Sequence, residues 1–157
     1  MALWQYSIYI VSNSDIEGKT VDENILLKAK GWEKSNISFD IKKLIERILP
    51  KTSSWSQSID LWGKEDSTCV EMFLGNTDNV ELIHIRLDFR ERHSKQIINT
   101  IIELVKLLNA SIISNYKIIE NNEQSILIDM SKSPAFKFVS NPDSFFNDLG
   151  DTDSKNQ

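Results

Sequence analysis

The stretch Glu81-Leu-Ile-His-Ile-Arg-Leu-Asp-Phe-Arg90 decides how this chain is read. Ile83, Ile85, Leu87 and Phe89 alternate with His84, Arg86, Asp88 and Arg90. Successive side chains of a strand point to opposite faces, so this pattern predicts a strand with one apolar and one charged side. The apolar side needs a helix layer over it, and the charged side is the natural candidate for a functional surface.

Working outward, two more strands precede it, at about Trp55–Trp62 and Thr68–Leu74. Their connections, Gly63-Lys-Glu-Asp66 and Gly75-Asn-Thr-Asp-Asn79, are short and polar, which favours antiparallel hairpins. Ser94 is placed to cap a helix over Lys95–Asn109, whose Ile97, Ile98, Ile101, Ile102, Leu104, Val105, Leu107 and Leu108 form a broad apolar face. A second helix runs from Ser38 or Asp40 to Leu49 and is stopped by Pro50. Leu3–Val11 reads as an opening strand, Ser12–Asn24 as a loop, and 25–35 is ambiguous, with Trp32 as its anchor. Ser111–Ile119 and Ser125–Met130 read as a last hairpin around Glu120-Asn-Asn-Glu-Gln124. Ser133-Pro134 and Asn141-Pro142 each place an N-cap before a helix-starting proline. Gly150 is a natural C-cap, and Phe136, Phe138, Val139, Phe145, Phe146 and Leu149 pack back on the body.

The fold expected is therefore α+β: a mostly antiparallel sheet, two main helices packed on one face, and short C-terminal helices. A chain of 157 residues with 40% hydrophobic and 26% charged residues is sufficient for one domain, here 1–150, followed by a disordered acidic tail at 151–157.

Charge and composition exclude several functions. Asp143, Asp148, Asp151 and Asp153 against Lys155 account for −3 of the net −5, so the first 140 residues are nearly balanced at −2. A surface that tracks phosphates needs a basic excess, and nucleic acid is not an expected partner. No run approaches the roughly 18 apolar residues of a membrane span. The opening Met-Ala-Leu-Trp-Gln-Tyr6 has neither a basic segment nor a long apolar one, so a cytoplasmic chain is expected. Cys69 is the sole cysteine, which rules out an internal disulfide and a Cys-rich zinc site.

Catalytic and cofactor motifs are absent. There is no Gly-x-Gly-x-x-Gly, Walker loop, Gly-x-Ser-x-Gly or His-Glu-x-x-His, and five scattered glycines build no phosphate cradle, so no cofactor is expected. A nuclease of the Glu-x-Lys type needs Lys two residues after Glu71, where Phe73 stands. Asn13-Ser-Asp15-Ile-Glu17-Gly18 has the look of a calcium loop but places Asn24 where a bidentate Glu is required. Cys69 with His84 would make a nucleophile and base, although a strand cysteine is more often core. His93 reads as a surface residue.

If the central strands form a meander, their charged side carries Asp60, Trp62, Cys69, Glu71, Phe73, His84, Arg86, Asp88 and Arg90, with Val70 and Met72 as the other register of the middle strand. As a recognition face, Asp60, Trp62, Glu71, His84, Arg86, Asp88 and Arg90 supply the contacts, with Trp62 as buried anchor and the acidic groups steering a basic partner. The alternative is a solvated sheet face with cross-strand ion pairs.

Four segments carry a resemblance: Leu3-Trp-Gln-Tyr6, Trp55-Ser-x-x-Ile-x-Leu-Trp-Gly63, Ile85-Arg-Leu-Asp-Phe-Arg90 and Ser133-Pro-Ala-Phe-x-Phe-Val-x-Asn-Pro-Asp-Ser-Phe-Phe146. Together with size and acidic tilt, they make residues 1–150 resemble small bacterial immunity proteins, the cognate antitoxins of polymorphic toxin systems. The resemblance implies a cytoplasmic, non-catalytic single domain that covers or distorts a toxin domain, and it transfers no functional residue. The expectation is thus a protein-binding module, monomeric or homodimeric, that neutralises a basic toxin domain. The rivals are a small metal-dependent hydrolase using a His84/Asp88/Glu71 cluster and a structural subunit of a phage or secretion assembly.

Overall fold

A computed structural model describes residues 2–75, 79–91 and 95–147. Ser94 as a cap, His93, Asp148, Leu149, Gly150 and the expected tail 151–157 lie outside the described residues.

The strands are β1 (Gln5–Ser12), β2 (Trp32–Glu33), β3 (Lys51–Thr52), β4 (Ile59–Gly63), β5 (Cys69–Leu74), β6 (Asn79–Asp88), β7 (Ala110–Ser114) and β8 (Lys117–Ile119). They form one sheet in the order β3-β4-β5-β6-β1-β7-β8, and β2 pairs with the start of β6 beyond the end of β1. Every pairing is antiparallel. The helices are α1 (Asn13–Ile16), α2 (Glu23–Leu27), α3 (Phe39–Glu46), α4 (Lys95–Leu107), α5 (Glu123–Lys132) and α6 (Pro134–Ser140), with a further helical stretch over 142–147. The architecture is α+β, and none of these helices is long and apolar enough to cross a membrane.

One face of the sheet is the core. Tyr6, Ile8 and Ile10 of β1 pair with Leu87, Ile85 and Ile83 of β6, which continue into Val70 and Met72 of β5 and Trp62 of β4. Ile41, Leu44 and Ile45 of α3 and Ile98, Ile101, Leu104 and Val105 of α4 close over them, as the two apolar stripes require. Ile126 and Met130 of α5 and Ala135 of α6 join the same core. The opposite face has a smaller cluster in which Ile25 and Ala29 cover Val11, Leu82 and Ile113.

The structure corrects three local readings. Residues 125–130 are helical, not a strand: Asn122 accepts a hydrogen bond from the Ser125 amide at 2.8 Å and starts α5, and the spacing of Ile126 and Met130 then matches one helix face. The last hairpin turns instead at Asn115-Tyr116, both with positive φ, splitting 111–119 into two strands. The polar segment after β1 is not all loop. It contains α1 and α2, with Asp22 capping α2 through the Asn24 amide at 2.9 Å. Trp32 does anchor the segment that follows, through a 2.8 Å hydrogen bond from Nε1 to the Leu108 carbonyl.

Candidate functional site

The alternation of β6 places His84, Arg86 and Asp88 on the sheet face opposite α3 and α4. Register then selects their neighbours. Ser7 lies opposite Arg86, and Arg86 opposite Cys69. Tyr9, His84 and Glu71 form the next row across three strands. A polar cluster therefore occupies the middle of the sheet.

Its centre is the imidazole of His84. Nε2 is hydrogen-bonded to the Ser7 hydroxyl, and Nδ1 lies 3.4 Å from Glu71 Oε1. The Tyr9 ring stacks on it with centroids 4.4 Å apart and planes 8° from parallel. Arg86 donates to the same Glu71 oxygen. Glu71 is buried, and desolvation alone pushes its carboxyl up; the His84 hydrogen bond and the Arg86 and His84 charges outweigh that and hold it below the usual carboxylate range. Burial pushes the neighbouring Cys69 thiol up to about 11 against the opposing charge of Arg86, so the thiol stays protonated near neutral pH. Cys69 therefore packs as a small apolar residue beside Arg86, and His84 takes Ser7 rather than Cys69 as its partner.

The seven residues expected to make one recognition face do not do so. Trp62 and Asp60 lie on the helix side, because the β4–β5 ladder pairs Gly63 with Cys69 and Trp62 with Val70. Trp62 is 0% exposed in the core and is no surface anchor. Asp60 is bound at the edge by Lys51 at 3.3 Å and Lys42 at 3.9 Å. Asp88 is 1% exposed and takes the fork of Arg90, whose guanidinium carbon also sits 3.9 Å over the Trp4 ring. Asp88 stands four residues from His84 along β6, about 13 Å at the rise of a strand, so the His84/Asp88/Glu71 cluster is not assembled. Among the described residues no group of three His, Cys, Asp or Glu is placed to hold a metal. Asp15 of the calcium-like stretch instead accepts the amides of Lys30 at 3.1 Å and Gly31 at 2.9 Å, pinning α1 to the loop before β2. Glu71, His84 and Arg86 are brought together; Ser7 and Tyr9 belong with them and went unread. Their alternation with Tyr6 and Ile8 was the only local signal.

A second feature lies on the helices. α5 buries Ile126 and Met130, yet its outer side carries Leu127 and Ile128, 44% and 45% exposed. Phe136 of α6 is 45% exposed and meets Phe89 edge to face, the ring centroids 6.2 Å apart. Two shallow grooves of about 420 and 250 Å³ adjoin here and share Leu127 and Ser131. Glu123 lines the first, and Met130 and Val139 the second.

No family model, curated protein or solved structure matches this chain.

Proposed function

We propose that this chain is a protein-binding module, an immunity-type protein that neutralises a toxin domain by direct contact. The observation that carries the reading is the apolar outer side of α5 and α6. A helix that is apolar on both sides is normally covered on both. Here Leu127, Ile128 and Phe136 stand open beside two grooves. A contiguous exposed apolar patch rimmed by polar residues is the kind of surface on which a partner docks. The net charge of −5 favours a basic partner, which long-range attraction would steer toward the surface.

The recognition surface assigned by this reading is α5 and α6. Trp62 and Asp88 have structural work in the core and at the end of β6. The test is isolation of the tagged protein under native conditions and identification of what co-purifies, alongside Leu127→Asp and Phe136→Ser variants. One stoichiometric basic protein, lost in both variants while their circular dichroism is unchanged, supports the reading. Retention of that protein by folded variants overturns the surface. A second reading, a self-assembling structural subunit, predicts concentration-dependent association of the purified chain that Leu127→Asp abolishes.

A further inference from the structure

The order of atoms around His84 has a chemical meaning of its own. One ring nitrogen faces a hydroxyl and the other a carboxylate: Ser7 Oγ on Nε2 and Glu71 Oε1 on Nδ1. A histidine held this way has Nδ1–H directed at the carboxylate and the Nε2 lone pair at the hydroxyl. That is the arrangement by which a weak nucleophile is activated, and it is recognised by geometry and roles, not by fold or chain order. Here the three residues come from three adjacent strands, β1, β6 and β5.

Three further observations bear on whether the arrangement can act. Glu71 is held ionised by the His84 hydrogen bond and the Arg86 charge, so it orients the imidazole and stabilises a positive charge on it. The Arg86 Nε is buried with no hydrogen-bond partner among the described residues. The Arg86 guanidinium turns toward β5, to Glu71 and Cys69, so it bears on the site through Glu71. Finally, Ser7 is only half-buried, and the β1–β7 ladder begins two residues later at Tyr9, so one side of Ser7 is free of a neighbouring strand in that ladder.

We propose that Ser7 is a nucleophile activated by His84 and aligned by Glu71, and that this face of the sheet performs acyl transfer from small carboxylic esters to water. Ser7 Oγ attacks the acyl carbon while its proton passes to His84 Nε2, and the Oγ–C bond forms. The C–O bond to the leaving alcohol breaks, and the alcohol takes the proton from His84. Water repeats the two steps on the acyl-serine, releasing the carboxylic acid and restoring Ser7. Glu71 is a positioning residue, itself held by Arg86. The site lies on the sheet face away from α3 and α4 rather than in the α5–α6 grooves, and the His84 side chain is only 12% exposed there, so the substrate is a small or extended ester that reaches Ser7 from the surface. This activity is independent of the binding reading, since none of its residues lines those grooves.

The test uses the full-length chain with a fluorophosphonate probe and p-nitrophenyl acetate. On labelling, the Ser7 Oγ–P bond forms and the P–F bond breaks, with fluoride leaving and the proton taken by His84. The expected result is one adduct per chain, on Ser7 by peptide mass spectrometry, and none in Ser7→Ala. His84→Gln is expected to slow labelling at least 100-fold, in line with the usual contribution of a general base. Glu71→Gln is expected to displace the pH–rate profile of ester hydrolysis, which a purely structural role would leave in place. Wild-type chain unfolded in urea serves as the control if a variant fails to fold, and it must not label. No adduct on folded wild type, an adduct elsewhere, or equal labelling of the folded and unfolded chain overturns the proposal.

Discussion

Asp88 and Arg90, two residues apart at the end of β6, close a fork on each other: Arg90 Nε lies 3.0 Å from Oδ1 and Nη2 2.7 Å from Oδ2. The Arg90 amide adds a 2.9 Å bond to Oδ1, so the carboxylate caps the chain as it leaves the strand. The Asp88 amide bonds to Thr68 Oγ1, and Arg90 reaches the Asp66 carbonyl at 3.3 Å. The fork thus ties the β4–β5 connection to the end of β6.

Asp88→Ala is expected to lower stability by about 0.5–1.5 kcal/mol, because the Arg90 amide loses its acceptor while the half-exposed guanidinium returns to water. Trp62→Ala is expected to cost about 3–5 kcal/mol, as for a large aromatic removed from a closed core. Urea midpoints measure both. Midpoints within error of wild type would contradict the structural assignment of these residues. The folded Asp88 variant should still retain whatever partner α5 and α6 engage.

The pH dependence has two limbs of opposite origin. Glu71 is held below the usual carboxylate range, so its contribution is present above about pH 4.3 and is lost as pH falls through its depressed value. Cys69, raised to about 11, acts the other way: its contribution is complete below about pH 8.5 and is lost as pH rises through 11. Tyr6 and Tyr9 are raised too, chiefly by burial, with the Asp129 hydrogen bond adding for Tyr6 and the Tyr116 and Glu71 charges for Tyr9. A melting-temperature profile should fall at both ends. Glu71→Gln should flatten the acid limb, and an unchanged acid limb would refute the assignment.

What was legible in the sequence follows from what is local. The alternation of Ile83, Ile85 and Leu87 with His84, Arg86 and Asp88 survives in the structure because burial of one face fixes parity within a strand. The proline-led caps at Ser133 and Asn141 were equally readable, and Ser133 accepts from the Phe136 amide at 3.2 Å. Parity across a turn was not readable, and Asp60 and Trp62 were lost to the wrong face for that reason. Residues 125–130 form an apolar run short enough to fit either period, and the Asn122 cap decided it. Ser7 was missed because its neighbour His84 is 77 residues away, and nothing in either strand reveals that β1 inserts between β6 and β7.

The turn Asn115-Tyr116 places a bulky residue at φ 59°. Both central positions of this two-residue hairpin need positive φ, where glycine is unstrained and tyrosine is not. Tyr116 is 49% exposed, so little packing is lost on its removal. Tyr116→Gly is therefore expected to stabilise the fold by about 0.5–1 kcal/mol, the left-handed strain relieved less the added freedom of the unfolded chain. A lower urea midpoint in that variant would show that the Tyr116 ring contributes more to packing than its exposure indicates.

Gly63 decides which face Trp62 takes. It extends β4 by one residue to pair with Cys69, and that pairing sets Trp62 opposite Val70 on the core side. Its φ is 81°, and a Cβ there would stand 2.3 Å from the Thr68 carbonyl oxygen, a backbone atom at the entry to β5. Gly18 has a similar φ of 69°, but nothing lies within 4 Å of its would-be Cβ. Alanine at the two sites separates strain from clash. Gly18→Ala is expected to cost about 1–2 kcal/mol, the left-handed penalty alone. Gly63→Ala adds a collision that only a shift of the β4–β5 ladder relieves, and such a shift disturbs Trp62 in the core. Its urea midpoint should fall clearly below that of Gly18→Ala, with a red shift of tryptophan emission as the Trp62 indole meets water. Equal midpoints in the two variants would mean that the Thr68 backbone yields freely and that Gly63 does not hold the register.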